Sequence, residues 1–168
     1  MPETERLVIR RARPDDADDI LSFINSEFVM RYNCYEPFSR EKLTSVIETR
    51  PDWVLLEKCS GRVVGTVGVE EDSMRYNPKA AGLNYMLRED CARKGYMSEA
   101  LTAILRELFD EGKEIISARI FSKNTASVRL VESLGFRREG MLRNAIVRYD
   151  GRCFDDCLYS ITKEEFEN

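Results

Sequence analysis

The chain has 168 residues, of which 43% are hydrophobic and 33% charged, with a net charge of −4. That length suits one domain spanning 1–168 with a substantial core. The acidic balance argues against a broad nucleic-acid surface, and no apolar stretch approaches the ~20 residues that cross a bilayer. The N-terminus also lacks the apolar core of a signal peptide. There is no histidine, which removes histidine bases, Ser-His-Asp triads and most transition-metal sites. Five scattered cysteines argue against a disulfide framework and for a reducing, cytoplasmic compartment. Cys153 and Cys157 in one strand would lie about 13 Å apart, so no metal is expected.

In chain order, Leu7 to Ala12 suggests a first strand. Pro14 then opens a helix with Ala17, Ile20, Leu21, Ile24 and Phe28 on one stripe. Asp15, Asp16, Asp18 and Asp19 sit in its first turns, where acidic side chains favour the helix dipole. Asn33 to Pro37 breaks the pattern, and a second helix starts near Ser39 with Leu43, Val46 and Ile47 inward. Trp53 to Lys58 and Val63 to Val69 read as a hairpin about Gly61. Residues 71–80 form a polar connection to a strand over 81–88. Ile115 to Phe121 is the next strand, and Asn124 to Leu134 is a helix closed by Gly135. Phe136 to Val147 and Cys153 to Ile161 form a last hairpin turning at Asp150 and Gly151. Thr162 and Glu165 are spaced as a capping box.

The stretch around which the rest is organised is 81–112. After its strand, Met97, Leu101, Ile104, Leu105 and Leu108 mark an amphipathic helix that stops at Gly112. Between strand and helix lie Ala92, Arg93, Lys94, Gly95, Tyr96, Met97 and Ser98. Such a turn aims unpaired backbone N–H groups and the positive end of the helix dipole at one point. With two cations and a glycine it suits a phosphate or pyrophosphate, although a basic turn with one glycine also opens many surface helices. A strand, a helix and a further strand over 81–121 imply a parallel crossover in an otherwise antiparallel sheet.

The loop and the later run Asn124-Thr-Ala-Ser127 through Leu134-Gly135-Phe136 together resemble the GNAT superfamily of acyl-CoA-dependent N-acetyltransferases. The loop matches the family's pyrophosphate loop at Gly95, with Ala92 and Met97 as departures. Glu139-Gly140, Arg143, Gly151 to Asp155 and Leu158-Tyr159-Ser160 resemble the ribosomal-protein N-terminal acetyltransferase (RimJ/RimL-like) branch, as does the opening Arg6 to Arg10 with Asp15 to Ala17. The resemblance implies a single α/β (α+β) domain. Its sheet has seven mostly antiparallel strands with helices on both faces, and a central parallel pair splays to admit the pantetheine arm.

It also implies acetyl-CoA as co-substrate and direct acetyl transfer to a primary amine, foremost a protein or peptide N-terminal α-amine. A small amine such as an amino acid, polyamine or aminoglycoside is the other acceptor class, and a non-catalytic acyl-CoA sensor is the reading from outside enzymology. Dimers are common among relatives, so a homodimer is in keeping with the resemblance. Arg93, Lys94, Gly95, Tyr96, Met97 and Ser98 would hold the pyrophosphate. Asn124, Ser127 and the backbone of Met86 and Leu87 would hold the pantetheine arm, with the Ser127 hydroxyl near the sulfur as its acid. Tyr32, Asn33, Tyr35 and Glu36 become candidates for acceptor contacts. The tyrosine acid of many relatives is replaced by Val131, and the glutamate of the central strand by Gly82, leaving Glu70 or Glu71 to serve as base. An α-amine, with a pKa of about 7.7–8.0 against about 10.4 for lysine, is the easier acceptor without a strong base.

Overall fold

The computed structural model describes residues 4–168. Strands β1 (Leu7–Arg11), β2 (Trp53–Glu57), β3 (Val63–Glu71), β4 (Ala80–Leu87), β5 (Ile115–Phe121), β6 (Arg137–Val147) and β7 (Cys153–Thr162) form a seven-stranded sheet in the order β1-β2-β3-β4-β5-β7-β6. The chain divides into two compact units. One comprises the chain up to Gly68 together with Tyr85–Ile104, and the other Val69–Asn84 with Leu105–Asn168.

In the first unit β1 pairs antiparallel with β2, from Leu7 opposite Glu57 to Arg11 opposite Trp53, and β2 pairs antiparallel with β3. The helices are α1 (Ala17–Ile24), α2 (Glu27–Met30) and α3 (Arg40–Thr49), the first preceded by a 3-10 turn at Pro14–Asp16. Ala17, Ile20, Phe23 and Ile24 of α1 pack with Leu43 and Ile47 of α3 and with Val54 and Val63 of the strands. The stripe read from the sequence ran on to Phe28, but the helix stops at Ile24. The Asn25 amide donates to the Phe38 carbonyl at 2.9 Å and accepts from the Phe38 N–H at 2.9 Å. Ser26 then caps α2 through the Val29 N–H. The break leaves Phe28 at 36% exposure and lets Phe23 take its place in the core at 3%.

The acidic residues of the first turns are committed to ion pairs as well as to the dipole. Asp16 takes both terminal nitrogens of Arg10 at 2.7 Å and the Arg13 N–H at 2.7 Å, and Asp18 pairs with Arg40. Burial would raise the Asp16 pKa, but the hydrogen bonds from Arg10 and Arg13 outweigh it and hold the carboxyl below its usual range. No cluster of potential metal ligands occurs among the described residues.

In the second unit β4 pairs parallel with β5, from Ala80 opposite Ile115 to Leu83 opposite Ala118. β5 pairs antiparallel with β7, and β7 with the hairpin strand β6. Helix α4 (Tyr96–Asp110) connects the parallel strands in sequence, α5 (Thr125–Ser133) follows β5, and α6 (Lys163–Glu167) ends the chain under a Thr162/Glu165 capping box. The stripe read for α4 is the buried one: Met97, Leu101, Ile104, Leu105 and Leu108 are all 5% exposed or less. Gly112, Gly135 and Gly151 adopt positive φ at the helix ends and hairpin turn, as their positions suggested.

Gly65 on β3 is a point of close approach. A Cβ there would lie 2.6 Å from the Met86 carbonyl oxygen and 3.1 Å from a Leu87 methyl, while the Arg88 N–H donates to Val64 O at 2.8 Å. Only glycine lets the end of β4 lie this close to β3. Gly65→Ala is expected to destabilise the protein by about 1–3 kcal/mol through overpacking. Gly140→Ala, where a Cβ meets nothing within 4 Å, is expected to stay within about 0.5 kcal/mol of wild type. Thermal unfolding of the two variants checks this.

Candidate active site

In the first unit, β4 ends at Leu87, a 3-10 turn covers Glu89–Cys91, and α4 begins at Tyr96. Two residues between them are left-handed, Arg93 at φ 62° and Gly95 at φ 82°. The Glu99 N–H donates to Gly95 O at 3.0 Å, so the N–H groups of Tyr96, Met97 and Ser98 have no carbonyl four residues back within the helix. They lie at the positive end of a fifteen-residue helix. Arg93, Lys94 and Gly95 are exposed, Ser98 is half-buried, and the side chains of Tyr96 and Met97 are buried. The last two therefore offer a ligand their backbone rather than their side chains.

What shapes this loop lies outside it. Arg6 donates through one terminal nitrogen to Lys94 O at 2.8 Å and through Nε to Glu99 at 2.6 Å, and its backbone N–H also reaches Glu99 at 2.8 Å. The Thr4 hydroxyl donates to the same carboxylate, and the guanidinium lies 4.6 Å from the Tyr96 ring centroid. Burial acts to raise the Glu99 pKa, but the bonds from Thr4 and Arg6 outweigh it, so the group stays ionised below its usual range. Beneath the helix start, the Tyr96 hydroxyl donates to Glu57. Hydrogen bonds from Ser60 and then Tyr96 bring the Glu57 pKa down to about 2. Sequence reasoning missed the roles of Arg6, Glu57 and Glu99, since nothing local links Arg6 to a loop 88 positions away.

Also in this unit, the Met86 carbonyl oxygen faces Gly65 and the Met86 sulfur accepts from the Tyr35 hydroxyl at 2.9 Å, while Leu87 is half-buried. Tyr35 further packs on Phe38 with centroids 5.0 Å apart, and the Asn33 amide donates to Val29 O at 2.6 Å. These two candidates for acceptor contacts thus carry loop packing. Tyr32 is half-buried and Glu36 exposed.

In the second unit, Asn124 caps α5, its side-chain oxygen accepting the Ser127 N–H at 3.2 Å. Ser127 is half-buried, and its hydroxyl has no hydrogen-bond partner among the described residues. Val131 is fully buried and fills core. A Cβ at Gly82 would meet Glu70 Cγ at 3.4 Å and Ser117 Oγ at 3.8 Å. The Glu70 side chain therefore stands against the space that a side chain at position 82 would occupy.

This strand, left-handed loop and helix start belong to a recognisable family. Residues 6–137 match the model of the acetyltransferase (GNAT) domain. The chain belongs to the GNAT acetyltransferase family. It is 28% identical to the uncharacterized N-acetyltransferase YoaA of Bacillus subtilis (strain 168), over 96% of each chain. A GNAT-family acetyltransferase structure from Bacillus anthracis superposes with a TM-score of 0.87 at 25% identity, covering 98% of this chain and 99% of that one. The ribosomal-protein-S5-alanine acetyltransferase of Vibrio fischeri is 19% identical, with a TM-score of 0.85 over 99% of this chain and 98% of that one, and shares the fold. The protein is an acyltransferase, and the family's acetyl donor is acetyl-CoA. The loop fits a pyrophosphate of that donor, with exposed Arg93, Lys94 and Gly95 beside the N–H groups that open α4.

Gly95→Ala forces a side chain into the left-handed region, at about 1–2 kcal/mol, and sets its Cβ 3.2 Å from an Arg6 nitrogen. Acetyl-CoA affinity by calorimetry is expected to fall about tenfold, one such step being worth about 1.4 kcal/mol.

Because the Glu57 pKa is depressed in the folded protein, its stabilising contribution is complete above the ordinary value of 4.5 and is lost as pH falls from there towards about 2. Glu57→Gln is therefore expected to lower the melting temperature at pH 7, with the gap to wild type closing as pH falls through that window. Paired melts across pH check the sign.

Proposed function

We propose that the chain acts as one acetyltransferase domain whose acceptor is a protein or peptide N-terminal α-amine, in the manner of the RimJ/RimL-like branch. The observation that carries the enzyme reading is the loop at Arg93 to Ser98, with its two left-handed residues and helix-start N–H groups. The branch reading rests on the sequence of β6 and β7, from Glu139-Gly140 to Leu158-Tyr159-Ser160. The five cysteines are free thiols, which suits work in the reducing cytoplasm.

In this reading, backbone N–H groups of Tyr96, Met97 and Ser98 bind the pyrophosphate, and Arg93 and Lys94 add charge. For the pantetheine arm, the first unit offers the backbone of Met86 and Leu87, and the second unit offers Asn124 and Ser127. When bound, acetyl-CoA supplies an acyl carbon activated by its thioester. Glu70 receives the proton lost by the amine as the new C–N bond forms, directly or through one water. The approach of its Cγ to within 3.4 Å of the Cβ direction of Gly82 supports this role. The Ser127 hydroxyl supplies a proton to the departing sulfur as the C–S bond breaks and takes one back from water. A carboxylate is a weak base, which favours an α-amine over lysine, whose neutral form is some 300-fold scarcer near neutral pH by the difference in reference pKa.

Thiol release from acetyl-CoA across N-terminal peptides, free amino acids, polyamines and aminoglycosides tests the reading. Release with peptides is expected, and silence across the panel despite acetyl-CoA binding would favour a sensor. Glu70→Gln is expected to lower kcat/KM by ~10²-fold. Ser127→Ala is expected to lower kcat by more than it weakens acetyl-CoA binding.

A further inference from the structure

The Cβ direction of Gly82 meets both Glu70 and Ser117, so these side chains share one face of the sheet within the second unit. Alternation along β5 places Arg119 and Phe121 on that face as well. Cross-strand pairing of Ser117 with Ser160, Arg119 with Leu158 and Phe121 with Asp156 carries it onto β7. Most of its polar groups are enclosed: Ser117 is 8% exposed, Ser160 5% and Asp156 0%. The Arg119 side chain is 44% exposed.

Arg119 is held in an unusual way. Its Nε donates to Asp156 Oδ2 at 2.5 Å, and its two terminal nitrogens have no partner among the described residues. The other Asp156 oxygen is buried without a hydrogen-bond partner. Burying a carboxylate against a single, partly exposed cation is a poor way to gain stability, because desolvation cancels the attraction. It does fix a guanidinium by its Nε edge and leave the opposite edge outward, the edge that binds a carboxylate in bidentate fashion. Arg75 differs, since Asp72 and Glu139 already occupy it.

We propose that Arg119 binds an anionic group of the acceptor, so that the substrate is a primary amine that also carries a carboxylate several bonds from the nitrogen. This rests on the reading that Glu70 marks the position of the reacting amine. Gly82 pairs with Ser117, and Arg119 lies two residues further along β5, about 7 Å by strand geometry. An α-carboxylate, two bonds from the nitrogen, is too close to span that interval. The side chain of an acidic amino acid fits, as does an acidic residue near a peptide N-terminus. Polyamines and aminoglycosides bring only positive charge to Arg119 and are poor acceptors.

The test compares acceptors that differ only in that charge: glutamate with glutamine, and N-terminal peptides with aspartate or asparagine as second residue. The wild-type protein is expected to favour the acid by about tenfold in kcat/KM, chiefly through KM. The charge-matched double variant Arg119→Gln with Asp156→Asn is expected to bring that ratio to about one with acetyl-CoA affinity unchanged. Preference for free glutamate or for the acidic peptide names the source of the carboxylate. Equal turnover of acid and amide by the wild type, a preference that survives in the double variant, or turnover with no carboxylate-bearing member would each overturn the proposal. If acetyl-CoA binds and only polyamines or aminoglycosides react, the proposal falls and the transferase reading stands. If acetyl-CoA neither binds nor turns over with any amine, both fall.

Discussion

The Glu99 carboxylate is the constraint on which the loop of the first unit depends. It sits in the first turn of α4 and gathers the Thr4 hydroxyl, the Arg6 N–H and the Arg6 guanidinium. The same guanidinium reaches back to Lys94 O. A single arginine thus ties the residue before Gly95 to the turn after it, which holds the chain through two left-handed positions. The N–H groups of Tyr96, Met97 and Ser98 are fixed before any anion arrives, so ordering them need not be charged against binding. Charge also favours the arrangement, because the carboxylate sits where the helix dipole stabilises it and is neutralised by Arg6.

Local pattern was enough to find most of the framework. The period of α4, the capping box at Thr162 and Glu165 and the glycine stops each depend on neighbours a few residues apart, and the parallel pair around 81–121 follows from the order of strand, helix and strand. The break after Ile24 was not legible, because it is made by Asn25 bonding the backbone of Phe38, thirteen residues on. The need for glycine at position 65 was not legible either, because it comes from the Met86 carbonyl 2.6 Å from the missing Cβ. The site divides in the same way. The loop was readable, whereas Arg6, Arg119 and Asp156 acquire meaning only through partners distant in sequence.

The chemistry follows from what the chain lacks as much as from what it has. Without histidine, proton transfer falls to carboxylates and hydroxyls, which suit acceptors that lose a proton readily. Position 131 is committed to the core, so a tyrosine acid has no place there. Position 82 is vacated and Glu70 stands against it from the neighbouring strand. The two positions share one face of the sheet, which is why Glu70 is the proposed base. Beyond it, Arg119 supplies the opposite charge, which turns a general amine site into one that reads the rest of the acceptor.

The most direct test of the loop is amide hydrogen exchange on addition of acetyl-CoA. If the loop binds the pyrophosphate, the N–H groups of Tyr96, Met97 and Ser98 become strongly protected, ahead of the rest of α4. Unchanged exchange at these three amides in a protein that binds acetyl-CoA would contradict that assignment.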